Sequence, residues 1–188
     1  MESKTVQMIC VALSAVGLIA VITCCALPEW VIGHYGDLEV RVGLWMVCVR
    51  RGTGPQVCQT LESIEQISPL HSFRAVIVFS CMLGILSLLL LIFGSDFTTC
   101  VQNQDTRTKM ILAAGVDLIL AGLLVIILVI FETNEIRNAT VRVTAGASIY
   151  IGFIAGVMMM LTGVLLCCLI RPGSSSSGGT ASFSSNRV

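Results

Sequence analysis

Two cysteines, Cys48 and Cys58, flank the turn-rich stretch Arg51-Gly52-Thr53-Gly54-Pro55. The chain has nine cysteines. Cys10, Cys24, Cys25, Cys81, Cys167 and Cys168 lie in or beside apolar runs, and Cys100 lies in a short polar linker. Only Cys48 and Cys58 occupy a polar, turn-rich stretch, so their chemistry is a single disulfide in an oxidising compartment. Arg50 and Arg51 stand at that turn, where paired surface charges form a solvated hairpin tip. Cys167 and Cys168 precede Arg171 at the end of an apolar run, where thiols are typical S-acylation substrates; the plainer reading is two small helix residues. Asn138-Ala139-Thr140 is an acceptor sequon for N-glycosylation. Asp117 lies deep in an apolar run, where an ionised carboxylate costs about 2.5–3.5 kcal/mol on insertion scales. It is expected to face the bundle, a cavity, or a hydroxyl such as Ser14, Ser80, Ser87 or Thr162. No Ser/His/Asp set, metal-ligand spacing or phosphate loop occurs, and His34 and His71 are isolated. The expectation is no enzyme, no cofactor and no metal.

These residues are positioned by a membrane protein. Of 188 residues, 55% are hydrophobic and 12% charged, with a mean hydropathy of +0.93. Soluble domains carry about a quarter charged residues. The net charge is zero, and no basic patch interleaved with aromatics suggests nucleic acid. Spanning the hydrocarbon takes roughly 20 mainly apolar residues in a helix. The stretches 6–27, 75–93, 110–131 and 149–170 qualify, within one domain over 1–172. The Ser/Gly-rich 173–188 reads as a disordered tail.

Between the spans lie outer loops over about 28–74 and 132–148. In the first, Asp37 to Val42 alternates polar and apolar, as a half-buried strand does. Trp45 to Val49 and Gln56 to Cys58 flank the Gly/Pro turn and read as a hairpin. Basic residues do not orient the chain. Lys4, Arg107, Lys109, Arg171 and Arg187 fall on one side, against Arg41, Arg50, Arg51, Arg74, Arg137 and Arg142 on the other. The disulfide pair and the sequon fall on one face, which places that face outside and both termini in the cytoplasm.

The first loop then carries a pattern. Leu27-Pro28-Glu29-Trp30, followed by Gly43-Leu44-Trp45-Met46-Val47-Cys48 and then Cys58, resembles the claudin signature. Thr23-Cys24-Cys25 ends the first span as in claudins, and Arg74 stands at the entrance to the second. Gly146-Ala147-Ser148-Ile149-Tyr150-Ile151-Gly152-Phe153 opens the fourth span, which ends in Leu166-Cys167-Cys168. The resemblance covers all but the tails. Departures are a short first hairpin between Trp30 and Trp45, Thr133-Asn134-Glu135-Ile136 where claudins have an Asn-Pro stretch, and Thr144-Ala145 in place of Glu-Phe.

The resemblance implies a left-handed four-helix transmembrane bundle carrying a small extracellular antiparallel sheet. It implies a tight-junction strand protein of the plasma membrane that associates with claudins in cis and in trans and controls paracellular permeability, as barrier or ion-selective pore. A non-polymerising relative, of the peripheral-myelin type or a channel-accessory subunit, is the alternative. Trp30, Gly43, Leu44 and Trp45 read as an apolar wedge between sheet and bundle. Arg50, Arg51, Gln59 and Thr60, with Val57, are candidate pore-lining residues. Cys167 and Cys168 are palmitoylation candidates. Val188 offers the apolar terminal residue and carboxylate that a PDZ scaffold captures.

Overall fold

A computed structural model of the chain describes residues 2–60, 68–95, 103–138 and 143–169. The tail expectations, including Val188, lie outside the described residues, as do Cys100, Thr140 and Arg142. Four helices form the bundle: α1 (Glu2–Ala26), α2 (Ser68–Gly94), α3 (Gln104–Asn138) and α4 (Ala147–Leu169). All four are long and apolar enough to cross a membrane. In hydrocarbon each backbone polar group must be satisfied within the segment, which a helix achieves.

Local chemistry sets the helix ends. Pro28 disfavours helical geometry at the residue before it, and α1 stops at Ala26. Asn103 caps α3: its side-chain oxygen accepts the Asp105 N–H at 3.3 Å and its carbonyl accepts the Arg107 N–H at 3.1 Å. At its other end α3 outlasts the apolar stretch and runs to Asn138. There Phe131 packs on Phe73, with ring centroids 5.5 Å apart, and Ile136 packs against the core.

Small residues hold the helices together, as expected where lipid removes the hydrophobic drive between them. Gly122 meets Gly156, and Gly115 meets Gly163, along the α3–α4 contact. A Cβ on Gly122 or on Gly163 would lie 2.6 Å from the facing glycine's carbonyl oxygen. Gly152 instead faces Cys24 of α1 and Val129 of α3, so the Gly152-x3-Gly156 spacing serves two neighbours. Ser80 and Ser87 of α2 donate to the Ala121 and Ala114 carbonyls of α3 at 2.9 and 2.8 Å. Asp117 finds none of the hydroxyls proposed for it. Ser14 and Thr162 donate to the carbonyls of Cys10 and Met158, one turn back in their own helices. Asp117 is half-buried and makes no hydrogen bond or ion pair among the described residues.

A five-stranded antiparallel sheet stands at one end of the bundle: β1 (Val31–Tyr35), β2 (Leu38–Val42), β3 (Met46–Arg51), β4 (Val57–Thr60) and β5 (Val143–Ala145). The order is β4-β3-β2-β1-β5. Gly36 (φ 62°) turns β1 into β2, and Gly52 (φ 53°) turns β3 toward β4. The Gly52 N–H donates to the Asp37 carbonyl at 2.8 Å, tying the two turns together. β5 comes from the second loop and pairs with β1, Ile32 opposite Thr144. Both outer loops thus build one sheet. α1 begins and α4 ends at the opposite end of the bundle.

Candidate functional site

The sheet is seated by the signature residues. Trp30 is 3% exposed, and its Nε1 donates to the Cys24 carbonyl at 3.0 Å, capping the last turn of α1. Leu44 is 2% exposed. Gly43 lies so close to Pro28 that a Cβ there would run into the proline backbone. Arg74 of α2 donates from Nε to the Leu44 carbonyl at 2.7 Å, and its guanidinium lies 5.2 Å from the Trp45 ring centroid. Trp45 departs from the wedge reading: it is 42% exposed and sits at the rim, its Nε1 3.4 Å from the Cys25 sulfur. An amphipathic ring at that level suits a membrane interface.

A second tie runs to α4. The Gly146 N–H donates to the Trp30 carbonyl at 2.9 Å, and the Ser148 N–H to the Glu29 carbonyl at 3.2 Å. A Cβ on Gly146 would collide with that Glu29 carbonyl oxygen. The Cys24 thiol contacts the Ser148 carbonyl at 3.2 Å. The exit of α1 and the start of α4 are thus bonded backbone to backbone. Arg41 of β2 bridges them to the sheet, donating to Glu29 and, at 2.8 Å, to Glu39. The Arg41 guanidinium holds the Glu39 carboxyl below the usual carboxylate range.

The ladder sorts the remaining side chains by face. Cys48 stands directly opposite Cys58, and the two are disulfide-bonded with Cα atoms 4.0 Å apart. Side chains directly across a ladder share a face and alternate along it. Glu39 with Arg50, and Met46 with Thr60, share the cysteine face. Leu38 with Arg51, Val47 with Gln59, and Val49 with Val57 share the other. The pore candidates are therefore divided, Arg50 and Thr60 on one side and Arg51, Gln59 and Val57 on the other. Arg51 is exposed and makes no ion pair among the described residues.

This architecture has relatives. A sequence profile described as the PMP-22/EMP/MP20/Claudin family matches residues 4–166. The chain belongs to this family. Human Claudin-4 is 33% identical over 187 residues, covering 92% of this chain and 90% of its own. Claudin-like protein ZF-A89 of Danio rerio is 33% identical, covering 89% and 88%. Human Claudin-3 is 33% identical over 176 residues, covering 86% and 80%.

At the far end of this claudin-family bundle the two terminal cysteines differ. Cys167 turns toward α3, where a Cβ on Gly115 would lie 2.9 Å from its sulfur. Cys168 is exposed. Asn138 is exposed as the last residue of α3. Sequence reasoning missed β5, the Glu29–Arg41–Glu39 bridge and the α1–α4 backbone tie. Gly146 was the available signal for the last of these, since a glycine where two backbones must touch is a packing requirement.

Proposed function

We propose that the chain is a tight-junction strand protein that associates with copies of itself or with claudins, side by side in one membrane and across to the next, and controls paracellular permeability. The observation that carries this reading is the family match over residues 4–166, with the signature residues Trp30, Leu44 and Arg74 meeting where sheet joins bundle. The similar relatives named above are claudins, which favours this reading over a non-polymerising one. Family membership points to a structural or channel-type protein, not an enzyme.

In this reading the sheet faces the intercellular space and both termini are cytoplasmic, since the disulfide needs an oxidising compartment. Arg50, Arg51, Gln59 and Thr60 line or flank the passage. Arg51 biases it toward anions, because Glu39 opposes Arg50 but no acid stands opposite Arg51. Palmitate joins Cys168 first, as the more accessible of the two terminal thiols, with Cys167 the second site. Val188 is the contact for a PDZ scaffold.

The test is co-culture of junction-free cells with and without the tagged chain. The protein should concentrate where two expressing cells meet and be absent from mixed borders. Uniform plasma-membrane distribution would contradict the reading.

A further inference from the structure

Among the described residues, a groove outside the sheet is large enough to hold a ligand, and its lining changes character along its length. It has a volume of about 750 Å³ and lies between the sheet-side ends of α3 and α4. Binding sites for small molecules span about 300–1,000 Å³. On α3 the lining follows Ile127, Ile130, Asn134 and Arg137. These lie three or four residues apart and so form one stripe of the helix. Tyr150 and Phe153 line the α4 wall. Ile127, Ile130, Tyr150 and Phe153 are all exposed large side chains on the lipid-facing surface.

The stripe matches the depth profile of a leaflet. At a rise of ~1.5 Å per residue, Arg137 stands ~9 Å beyond Phe131. The headgroup layer is about 5–7 Å deep on each side of a hydrocarbon core of about 30 Å. Isoleucine and phenylalanine therefore lie at acyl-chain depth, and Asn134, ~4.5 Å beyond Phe131, lies among the headgroups. The Arg137 backbone stands just outside that layer, and its long side chain, tilted toward the helix N-terminus, reaches back to the phosphates. Arg137 is exposed and makes no ion pair among the described residues. Glu132 and Glu135 are at spacings that point away from Arg137 around the helix. A guanidinium is the side chain best shaped to take a phosphate with paired hydrogen bonds.

We infer that this groove is a binding site for one phospholipid of the leaflet on the sheet side. One acyl chain lies along Ile127, Ile130 and Phe153, and the phosphate sits on Arg137. The Asn134 amide faces the ester carbonyls. A sterol would fill the apolar part and leave Arg137 without a partner, so charge complementarity selects the phospholipid. The site does not depend on the junction reading.

The test uses the full chain in phosphatidylcholine nanodiscs containing cholesterol, released gently for native mass spectrometry. The wild type should retain one phosphatidylcholine. Arg137→Gln should lower that retention at least tenfold, and the groove-filling Ile130→Trp should do the same. Ile130→Trp keeps the test decisive if Arg137→Gln fails to fold, because position 130 faces lipid and tolerates bulk. Phosphatidylcholine carrying a photoreactive acyl chain should label peptides of the Ile127–Phe153 groove in the wild type alone. Unchanged retention in the folded variants would overturn the site. Retention of cholesterol in place of phospholipid, or a second copy cross-linked through an unlabelled groove, would overturn it too.

Discussion

Arg50 faces Glu39 across the β2–β3 ladder. One residue on, Arg51 faces Leu38 on the other side of the sheet. The two arginines are adjacent in sequence but differ electrostatically. Glu39 opposes the first, and the second carries its charge with no acid across from it.

Replacing Arg51 should therefore change ion selectivity more than replacing Arg50. Two unit charges ~4 Å apart in water interact by about 1 kcal/mol, roughly a fivefold bias in ion occupancy. Screening over about 8 Å in physiological salt confines the effect to ions passing close by. Dilution potentials on epithelial layers should show Arg51→Glu lowering the chloride-to-sodium permeability ratio severalfold, and Arg50→Glu lowering it less. Equal effects, or none, would make Arg51 a solvated tip residue.

Arg74 joins α2 to the sheet through one charged hydrogen bond and one stacked ring. A hydrogen bond to a charged group contributes about 1.5–3 kcal/mol. Arg74→Met should destabilise the purified protein by about that amount, read as a lowered melting temperature in detergent. Lysine should not rescue it, since a point charge on a flexible stem reproduces neither the Nε donor nor the stack.

Cys48 and Cys58 close a loop with a sequence separation of 10. The chain-entropy model assigns such a bridge about 2–3 kcal/mol. Cys58→Ser should lower stability by about this amount, and reductant should lower the wild type to the same level. A reductant-insensitive wild type would contradict the bridge.

Much of this was legible in the chain. The four spans follow from apolar length, and β2, β3 and β4 from alternation and glycine turns. The opposite faces of Arg50 and Arg51 follow from the strand period once β3 is assigned. β5 was not legible, because Val143-Thr144-Ala145 is too short for a pattern and its pairing with β1 is long-range. Nor was the exposure of Trp45. Its type suggested burial, but Trp30 and Leu44 fill the space beneath the sheet first. Arg41 bonds Glu29 because the sheet folds back over the end of α1, and no local spacing encodes that.

The Arg41 bridge predicts a pH dependence. The carboxyl of Glu39 is held down chiefly by the hydrogen bond from Arg41. A carboxyl lowered on folding contributes stability above its unfolded value, about 4.3, and loses it as pH falls through the folded value. Melting temperature should therefore fall between pH 5 and pH 3 more steeply in the wild type than in Glu39→Gln. Parallel curves would mean that the contact adds nothing.

The proposed function requires that copies polymerise in the membrane. Freeze-fracture electron microscopy of junction-free cells expressing this chain shows whether they do. Continuous intramembrane strands are expected at contacts between expressing cells. Dispersed particles without strands, from protein present at those contacts, would contradict it.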